Sequence, residues 1–337
     1  MRSRNELWTG IIASAGVLVL ILDANTALAG ATDGVSLCIN SVIPSLFPFF
    51  VLSILINQTF SGRCIRLLRP IRTLCGIPPG AESILLLGLL GGYPVGAQSI
   101  NNAYVHNYIS KEDGHRLLGF CSNAGPAFIF GIVGKLFSSQ KPIWFLWGIH
   151  ITSALLVGAI LPKERPGNCK LSSGASITIS AAVEKSIKIM AGVCGWVILF
   201  RVIISFCQRW FLWLFNLETQ TFIGGVLELT NGCHGLYSLQ TPGTRYVFAA
   251  VFLGFGGVCV AMQTTSVTKD IGTGLYFPGK VLQCAISFLA AYASQYLIFN
   301  PEDRYRIPFI LPITALIILY VTTFYLQRKK KIVAILG

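Results

Sequence analysis

Residues 91–98 read GGYPVGAQ, and they interrupt a stretch that otherwise has the composition of a membrane helix. From residue 83 to residue 105 the chain carries no charge, and the first half of this stretch is mostly Leu and Gly. Proline removes a backbone donor and disrupts the preceding helical turn, whereas glycine permits backbone conformations that other residues resist. Irregular backbone at membrane depth is tolerated only where protein or a water-filled cavity satisfies it. The stretch therefore predicts a broken segment that binds something polar near mid-membrane.

The candidate substrate-binding residues of this first segment are Gly91, Gly92, Tyr93, Pro94, Gly96 and Gln98. A break here exposes backbone amides and a helix N-terminus, which favour an anion. The alternative explanation of the glycines is close helix packing through small residues.

The composition of the whole chain is that of a membrane protein. Of its 337 residues, 53% are hydrophobic and only 12% are charged, whereas about 25% are charged in a typical soluble domain. Several uncharged windows, such as 35–60 and 281–300, reach or exceed the roughly 20 residues that a spanning helix needs. We therefore predict an all-α polytopic membrane protein with about eight membrane-spanning helices. The pattern predicts helices at 7–28, 36–58, 118–137, 143–162, 187–214, 279–299 and 307–327, and less regular segments at 83–110, 220–240 and 246–268.

The net charge of +13 is distributed in a way that indicates a membrane rather than nucleic acid as partner. Lys and Arg concentrate in short segments between apolar windows, at 2–4, 63–72, 163–188 and 328–331. Such clusters mark the cytoplasmic side of a membrane protein. We expect both termini and a basic linker over 163–185 to be cytoplasmic. The first apolar segment also has features of a signal peptide, but its long apolar core favours an uncleaved helix.

The linker divides the chain into two halves, 1–162 and 186–337, which we expect to be pseudo-symmetric. Counting crossings from the cytoplasmic clusters leaves 83–110 with no net crossing, as in a re-entrant hairpin. The segments 220–240 and 246–268 together make one net crossing, so one of them is also re-entrant or broken. Residues 91–98 align with 256–263 through Gly-Gly, Val and Gln at equal spacing. Paired broken segments in corresponding positions are the best sequence indication of a transporter's binding site.

Three further groups of residues are candidates for the same site. Ser122 and Asn123 precede a Gly-Pro pair inside an apolar run, for which a simple proline kink is the alternative. Glu228, Thr230 and Asn231 form the second group, and Gly256, Gly257 and Gln263 form the third.

Glu228 is the most informative residue of these groups. A carboxylate near the centre of a membrane helix costs about 2.5–3.5 kcal/mol, so it usually faces a cavity or a partner. The functional interpretation is a ligand for a coupling ion, a proton or the substrate, and the alternative is a structural ion pair with Arg201 or another basic residue. For the third group the alternative is hydrogen bonding between helices. His234 is expected near Asn231.

Other chemistry has little support in the sequence. No phosphate-binding loop or hydrolase motif occurs, so we expect no catalytic residues and no ATP-driven step. The ten cysteines form no CxxC pair and the four histidines have no metal spacing, so we expect no metal and no cofactor. Lys135, Arg201 and Lys269 are possible partners of an anionic substrate, with snorkelling to the membrane surface as the alternative.

The motifs together resemble one known family. The stretches NSVIPSLFPFFVLSILI (40–56), GGYPVGAQ (91–98), CSNAGPAF (121–128), LELTNG (227–232) and GFGGVCVAMQ (254–263) are similar to the sporulation integral membrane protein family called YlbJ. That family carries the nucleoside-recognition, or Gate, domain, which also occurs in spore maturation proteins A and B. Gln98 and Cys259 depart from the residues most usual in the motifs.

The resemblance implies a fold like that of concentrative nucleoside transporters, with a site at 91–98, 121–126, 228–231 and 256–263. It also implies movement of dipicolinic acid from the mother cell across the outer forespore membrane. We therefore expect a secondary transporter of a small organic anion, whose carboxylates are held by hairpin amides, with Glu228 binding a coupling proton or sodium ion. A nucleoside or nucleobase transporter, and a non-transport scaffold of a sporulation complex, remain alternatives, and a homo-oligomer remains open.

Overall fold

The computed structural model describes residues 4–60, 64–162 and 177–299. Within these ranges the chain is helical and contains no strand, as predicted. Five runs are long and apolar enough to cross a membrane: Ala24–Ile56, Lys141–Ile160, Ile179–Trp210, Pro242–Val267 and Tyr276–Phe299. Leu7–Leu22 and Pro126–Leu136 are shorter apolar helices. The helix predicted at 307–327 lies outside the described residues, so the count of eight spans stays a prediction.

The N-terminal helices differ in their bounds from the prediction. Helix α1 (Arg4–Leu22) ends before residue 28, and α2 (Ala24–Leu37) begins at once, because the Asp23 side chain accepts a hydrogen bond from Thr26 N at 3.2 Å and caps the new helix. A π-helical turn (Cys38–Val42) then joins α2 to α3 (Ile43–Phe60) without a loop. Such π turns are frequent at functional sites.

The predicted break at 91–94 is the tip of a helical hairpin. After α4 (Arg69–Cys75), the arms are α5 (Glu82–Leu90) and α6 (Val95–Val105). The arms cross where Gly88 meets Gly96, since a Cβ added to Gly96 would lie 2.9 Å from the Gly88 Cα. At the tip, Gly92 has a φ of +73°, which favours glycine.

The single helix predicted at 118–137 is wrong. The chain forms α7 (Lys111–Leu118), an irregular stretch over 119–125, α8 (Pro126–Gly131) and a 3₁₀ turn (Val133–Leu136). Tertiary contacts support the irregular backbone: Cys121 O lies against the crossing of the first hairpin, and Ala124 N donates to His150 Nε2 at 3.1 Å. His150 belongs to α9 (Lys141–Ile160), which matches the helix predicted at 143–162.

The second half contains six helices in the described range. They are α10 (Ile179–Trp210), α11 (Leu217–Leu227), α12 (Leu229–Gly235), α13 (Pro242–Phe255), α14 (Gly257–Val267) and α15 (Tyr276–Phe299). Residues 179–185, expected in the linker, form the first turns of α10. The breaks expected in 220–240 and 246–268 fall at Glu228 and Gly256.

The order of elements repeats along the chain. Each half has a hairpin (α5–α6, α11–α12), then a broken helix (α7–α8, α13–α14), then a long helix (α9, α15). In this order, the first hairpin tip occupies the position that corresponds to Glu228 in the second half, and the irregular stretch over 119–125 corresponds to Gly256. The alignment of 91–98 with 256–263 therefore joins unlike elements, a hairpin tip and a broken helix. Symmetry between the halves stays a prediction.

The packing of these helices puts the breaks inside the molecule. Helix α10 packs against α2 and α3, whereas α13 packs against α15 and α15 against α9. The hairpin α11–α12 contacts α10, α13 and α14. The first hairpin contacts α3 and α8 through α5, and α14 through α6. Both hairpins therefore lie among other helices.

Candidate functional site

A small cavity of about 40 Å³ lies where the four broken segments meet. The segments contribute Gly91, Gly92, Tyr93, Ala124, Gly125, Phe128, Glu228, Leu229, Thr230, Val260 and Gln263 to its lining. Val42, Leu46, Phe50, Val193 and Val197, from the π turn, α3 and α10, complete it. We call it the central cavity. It combines an apolar wall with amide, hydroxyl and carboxylate groups.

Glu228 is the charged group of the central cavity. It is only 1% exposed, and its oxygens accept hydrogen bonds from Thr230 N (2.9 Å), Asn231 N (2.6 Å) and Asn231 Nδ2 (2.7 Å). The carboxylate thus caps the N-terminus of α12. In the described part of the chain, no basic side chain lies within ion-pair distance of it. A carboxylate with only neutral donors retains the capacity to bind a proton or a cation.

The ion pair of Glu228 with Arg201 that we considered is not formed. Arg201 Nη2 instead donates to Asp33 Oδ2 at 2.7 Å and joins α10 to α2. Lys135 and Lys269, the other basic candidates, are exposed and do not line the cavity. None of the three basic residues that we singled out is therefore a free partner for an anion at this cavity.

Two longer helices begin at the breaks without a side-chain cap. Helix α6 starts at Val95, after the first tip, and α14 starts at Gly257. Gly256 and Gly257 have φ values of +86° and +87°, which makes them the points where α13 and α14 separate. The first amides of such a helix carry partial positive charge toward whatever lies before it.

A buried lysine behind the central cavity was missed in our sequence analysis. Lys280, one turn into α15, is 1% exposed. Its Nζ donates to Gln283 Oε1 (2.7 Å), Tyr93 Oη (3.2 Å) and Asn123 Oδ1 (3.2 Å). The sequence did contain a signal, because Lys280 directly precedes the uncharged window 281–300.

The remaining predicted residues surround the central cavity. Asn123 lies behind the wall, where its Oδ1 also accepts from Gln283 Nε2 at 3.0 Å. Ser122 is fully buried, and its Oγ has no hydrogen-bond partner in the described chain. Gly96 packs in the crossing of the first hairpin rather than at a surface. Pro94, Gln98 and Asn231 line two neighbouring cavities instead.

These neighbours extend the central cavity in both directions along α10. The first, of about 280 Å³, is bounded by Pro94, Gln98, Gln263 and α10 residues between 185 and 196. The second, of about 440 Å³, is bounded by Asn231, His234, residues of α2 and α11, and α10 residues between 201 and 208. We call them the 185-end and the 208-end cavities. The central cavity contacts α10 between them, at Val193 and Val197.

The row of cavities has the length of a membrane crossing. Residues 185 and 208 are separated by 23 positions, or about 35 Å at 1.5 Å per residue, compared with a hydrocarbon core of about 30 Å. Lys185 and Lys188 lie at one end of this stretch. At the other end, Trp210, Phe211, Trp213 and Phe215 are exposed, as in an interfacial aromatic belt.

Comparison with known proteins agrees with a multi-pass integral membrane protein. No protein-family model and no solved structure matches the chain. Among curated proteins, the chain is 25% identical to the sporulation integral membrane protein YlbJ of Bacillus subtilis (strain 168), over 78% of this chain and 76% of that protein. This similarity extends over most of both chains and confirms the resemblance to the YlbJ family that the motifs indicate.

Proposed function

We propose that this chain is a secondary transporter in a sporulation membrane and that it moves a small organic anion, with dipicolinic acid as the first candidate. The observation that carries the proposal is the row of three cavities along α10, with the broken segments at its narrowest point. Broken helices at mid-membrane are the usual construction of a substrate site in secondary transporters.

The size of the central cavity favours a carrier over an open channel. Its volume of about 40 Å³ holds a few water molecules, since one water needs about 10–15 Å³. The two end cavities are several times larger. A narrow centre between two wide ends is the arrangement of a closed carrier, which opens to one side at a time. Substrate entry then requires the hairpin tips to move apart.

The lining also supports a flat, partly apolar substrate with polar edges. Phe50, Val193 and Val197 offer apolar surface to a ring. The uncapped N-termini of α6 and α14 offer positive potential to carboxylates. Glu228 repels an anion, so its proposed role is to bind the coupling proton or sodium ion, which removes its charge while the substrate is bound.

Uptake of labelled dipicolinate into proteoliposomes under an imposed proton or sodium gradient tests the proposal. We expect Glu228→Gln to lower gradient-driven uptake about tenfold or more, because it removes the charged ligand of the coupling ion. Glu218→Gln is the matched control, since Glu218 belongs to the same hairpin but is exposed. Uptake by the Glu228 variant at the rate of the unchanged protein would contradict the coupling role.

A nucleoside is the second candidate substrate, because Thr230 and Gln263 give the cavity uncharged hydrogen-bonding groups. Uridine, added in parallel, separates the candidates: uptake of uridine alone would make the chain a nucleoside carrier. The substitution Gly92→Leu places a bulky side chain at the first tip, next to the Gly125 backbone. We expect it to stop uptake of either substrate. Failure of the unchanged protein to take up either one would favour the scaffold.

A further inference from the structure

We infer that Lys280 is a specificity-determining residue, which makes the central cavity select an anion over a neutral molecule of the same shape. The inference rests on the proposed transport function and names the feature that sets the charge of the substrate. Lys280 acts through Tyr93, which contacts the lysine and also lines the cavity.

The first argument is the unbalanced charge of Lys280. Its three ammonium protons match three neutral oxygens, those of Tyr93, Asn123 and Gln283. In the described part of the chain, no carboxylate lies within ion-pair distance. A buried charge without a counterion destabilises a protein, and an ionisable group inside a membrane segment usually has a functional role. The missing counter-charge is what an anionic substrate supplies.

The second argument is the position of Tyr93 between the lysine and the cavity. The Lys280 ammonium lies 5.3 Å from the centre of the Tyr93 ring, and its Nζ donates to the Tyr93 hydroxyl. Since that hydroxyl accepts from the lysine, its own proton stays available, and no described residue accepts it. A hydroxyl that accepts from a cation is a stronger donor. The pair therefore presents a charge-assisted donor to a carboxylate.

The third argument is the close approach of Gly256 to this hydroxyl. A Cβ added to Gly256 would lie 2.9 Å from Tyr93 Oη, so only a glycine lets the hydroxyl lie against the backbone at the start of α14. The uncapped N-terminus of α14 begins at the next residue. The hydroxyl and the first amides of α14 thus lie on the same side of the site, and both favour negative charge.

A purely structural role is the competing explanation, because Lys280 joins α15 to the first hairpin tip and to the irregular stretch over 119–125. Loss of a structural link weakens the binding of every substrate alike. Loss of a charge-selecting residue weakens the binding of the anion alone. The two roles therefore predict different effects of a Lys280 substitution on the binding of an anion and on the binding of its neutral isostere.

The test compares pyridine-2,6-dicarboxylate with the neutral pyridine-2,6-dicarboxamide on purified protein in proteoliposomes. The KM for uptake of the labelled dicarboxylate and the Ki of the dicarboxamide against that uptake are measured for each variant. We expect Lys280→Met to raise the KM about tenfold or more and to leave the Ki unchanged. Lys280→Arg, which keeps the charge, should restore most of the affinity. Lys269→Met is the control, because Lys269 is exposed.

Tyr93→Phe provides a second variant in case Lys280→Met does not fold. It removes only the hydroxyl and should produce the same selective rise in KM. Equal changes in KM and Ki, or no change in either, would overturn the inference while leaving transport intact. No dicarboxylate uptake by the unchanged protein would instead overturn the proposed function, and the inference with it.

Discussion

Four glycines determine how closely the two arms of each hairpin approach each other. In the first hairpin Gly88 and Gly96 meet, and in the second Gly225 and Gly232 meet. A Cβ on Gly232 would overlap the Cα of Gly225, so two backbones touch there with no side chain between them. Small residues at a crossing allow this approach in membrane helices. At Gly96 the structure therefore shows close packing of the two arms, which is the alternative explanation of the glycines.

At the residue scale, we predict that Gly232→Ala destabilises the protein by about 1–3 kcal/mol, because the neighbouring atoms are backbone and cannot move aside. Gly224→Ala, one residue from Gly225, is the matched control, since a Cβ there has no atom within 4 Å. The measurement is the midpoint of thermal unfolding of the purified protein in detergent. Equal midpoints for the two variants would show that the arms separate at little cost.

The sequence indicates the residues that interrupt helices, but it does not indicate the distant residues that contact and stabilise those interruptions. Pro94 stands out within an apolar stretch, so the first hairpin tip was predictable. For the second half the sequence indicated Glu228 as a candidate ligand and a break in 220–240 or 246–268, but not a hairpin tip at Glu228 itself. Lys280 acquires its role only from Tyr93, which is 187 positions away along the chain. The irregular stretch over 119–125 is similar: its support comes from His150 and from the crossing of the first hairpin. A local pattern carries no information about such distant partners.

At the scale of elements, one buried arginine joins three helices. The Arg116 guanidinium, on α7, donates to Gly76 O (2.9 Å), to Cys75 O and to Gly158 O (2.6 Å). These carbonyls lie at the C-terminal ends of α4 and α9. Helix ends leave carbonyls without partners inside the helix, and a cation there also complements the helix dipole. Arg116 thus joins the C-terminal end of α4, which precedes the first hairpin, to the C-terminal end of α9.

We predict that Arg116→Met lowers the free energy of unfolding by about 3 kcal/mol or more, because buried carbonyls lose a charged donor. Arg116→Lys should recover only part of this loss, since an ammonium lacks the planar fork that reaches several carbonyls. The readouts are the thermal unfolding midpoint and hydrogen–deuterium exchange of residues 69–76. Unchanged exchange in Arg116→Met would mean that α4 is held by its apolar contacts alone.

At the scale of the whole molecule, the proposed transport depends on the row of cavities reaching opposite sides of the membrane. The 185-end cavity borders the lysines at the start of α10, and the 208-end cavity approaches the exposed aromatic residues after it. The positive-inside rule predicts that residue 185 of α10 faces the cytoplasm. The described residues alone contain this path, without the chain beyond residue 299.

We therefore predict that cysteines at the two ends of α10 react with a membrane-impermeant thiol reagent from opposite sides. The experiment uses a background in which the ten native cysteines are replaced. Lys185→Cys should react from the cytoplasmic side only, and Gln208→Cys from the opposite side only. The reason is that residue 185 lines the 185-end cavity and residue 208 lines the 208-end cavity, and the narrow central cavity separates the two. Leu199→Cys is the control, since this side chain is 51% exposed and lines none of the three cavities, so lipid should shield it from both sides. Reaction of both end positions from one side would place the whole row on one face of the membrane and remove the basis for transport.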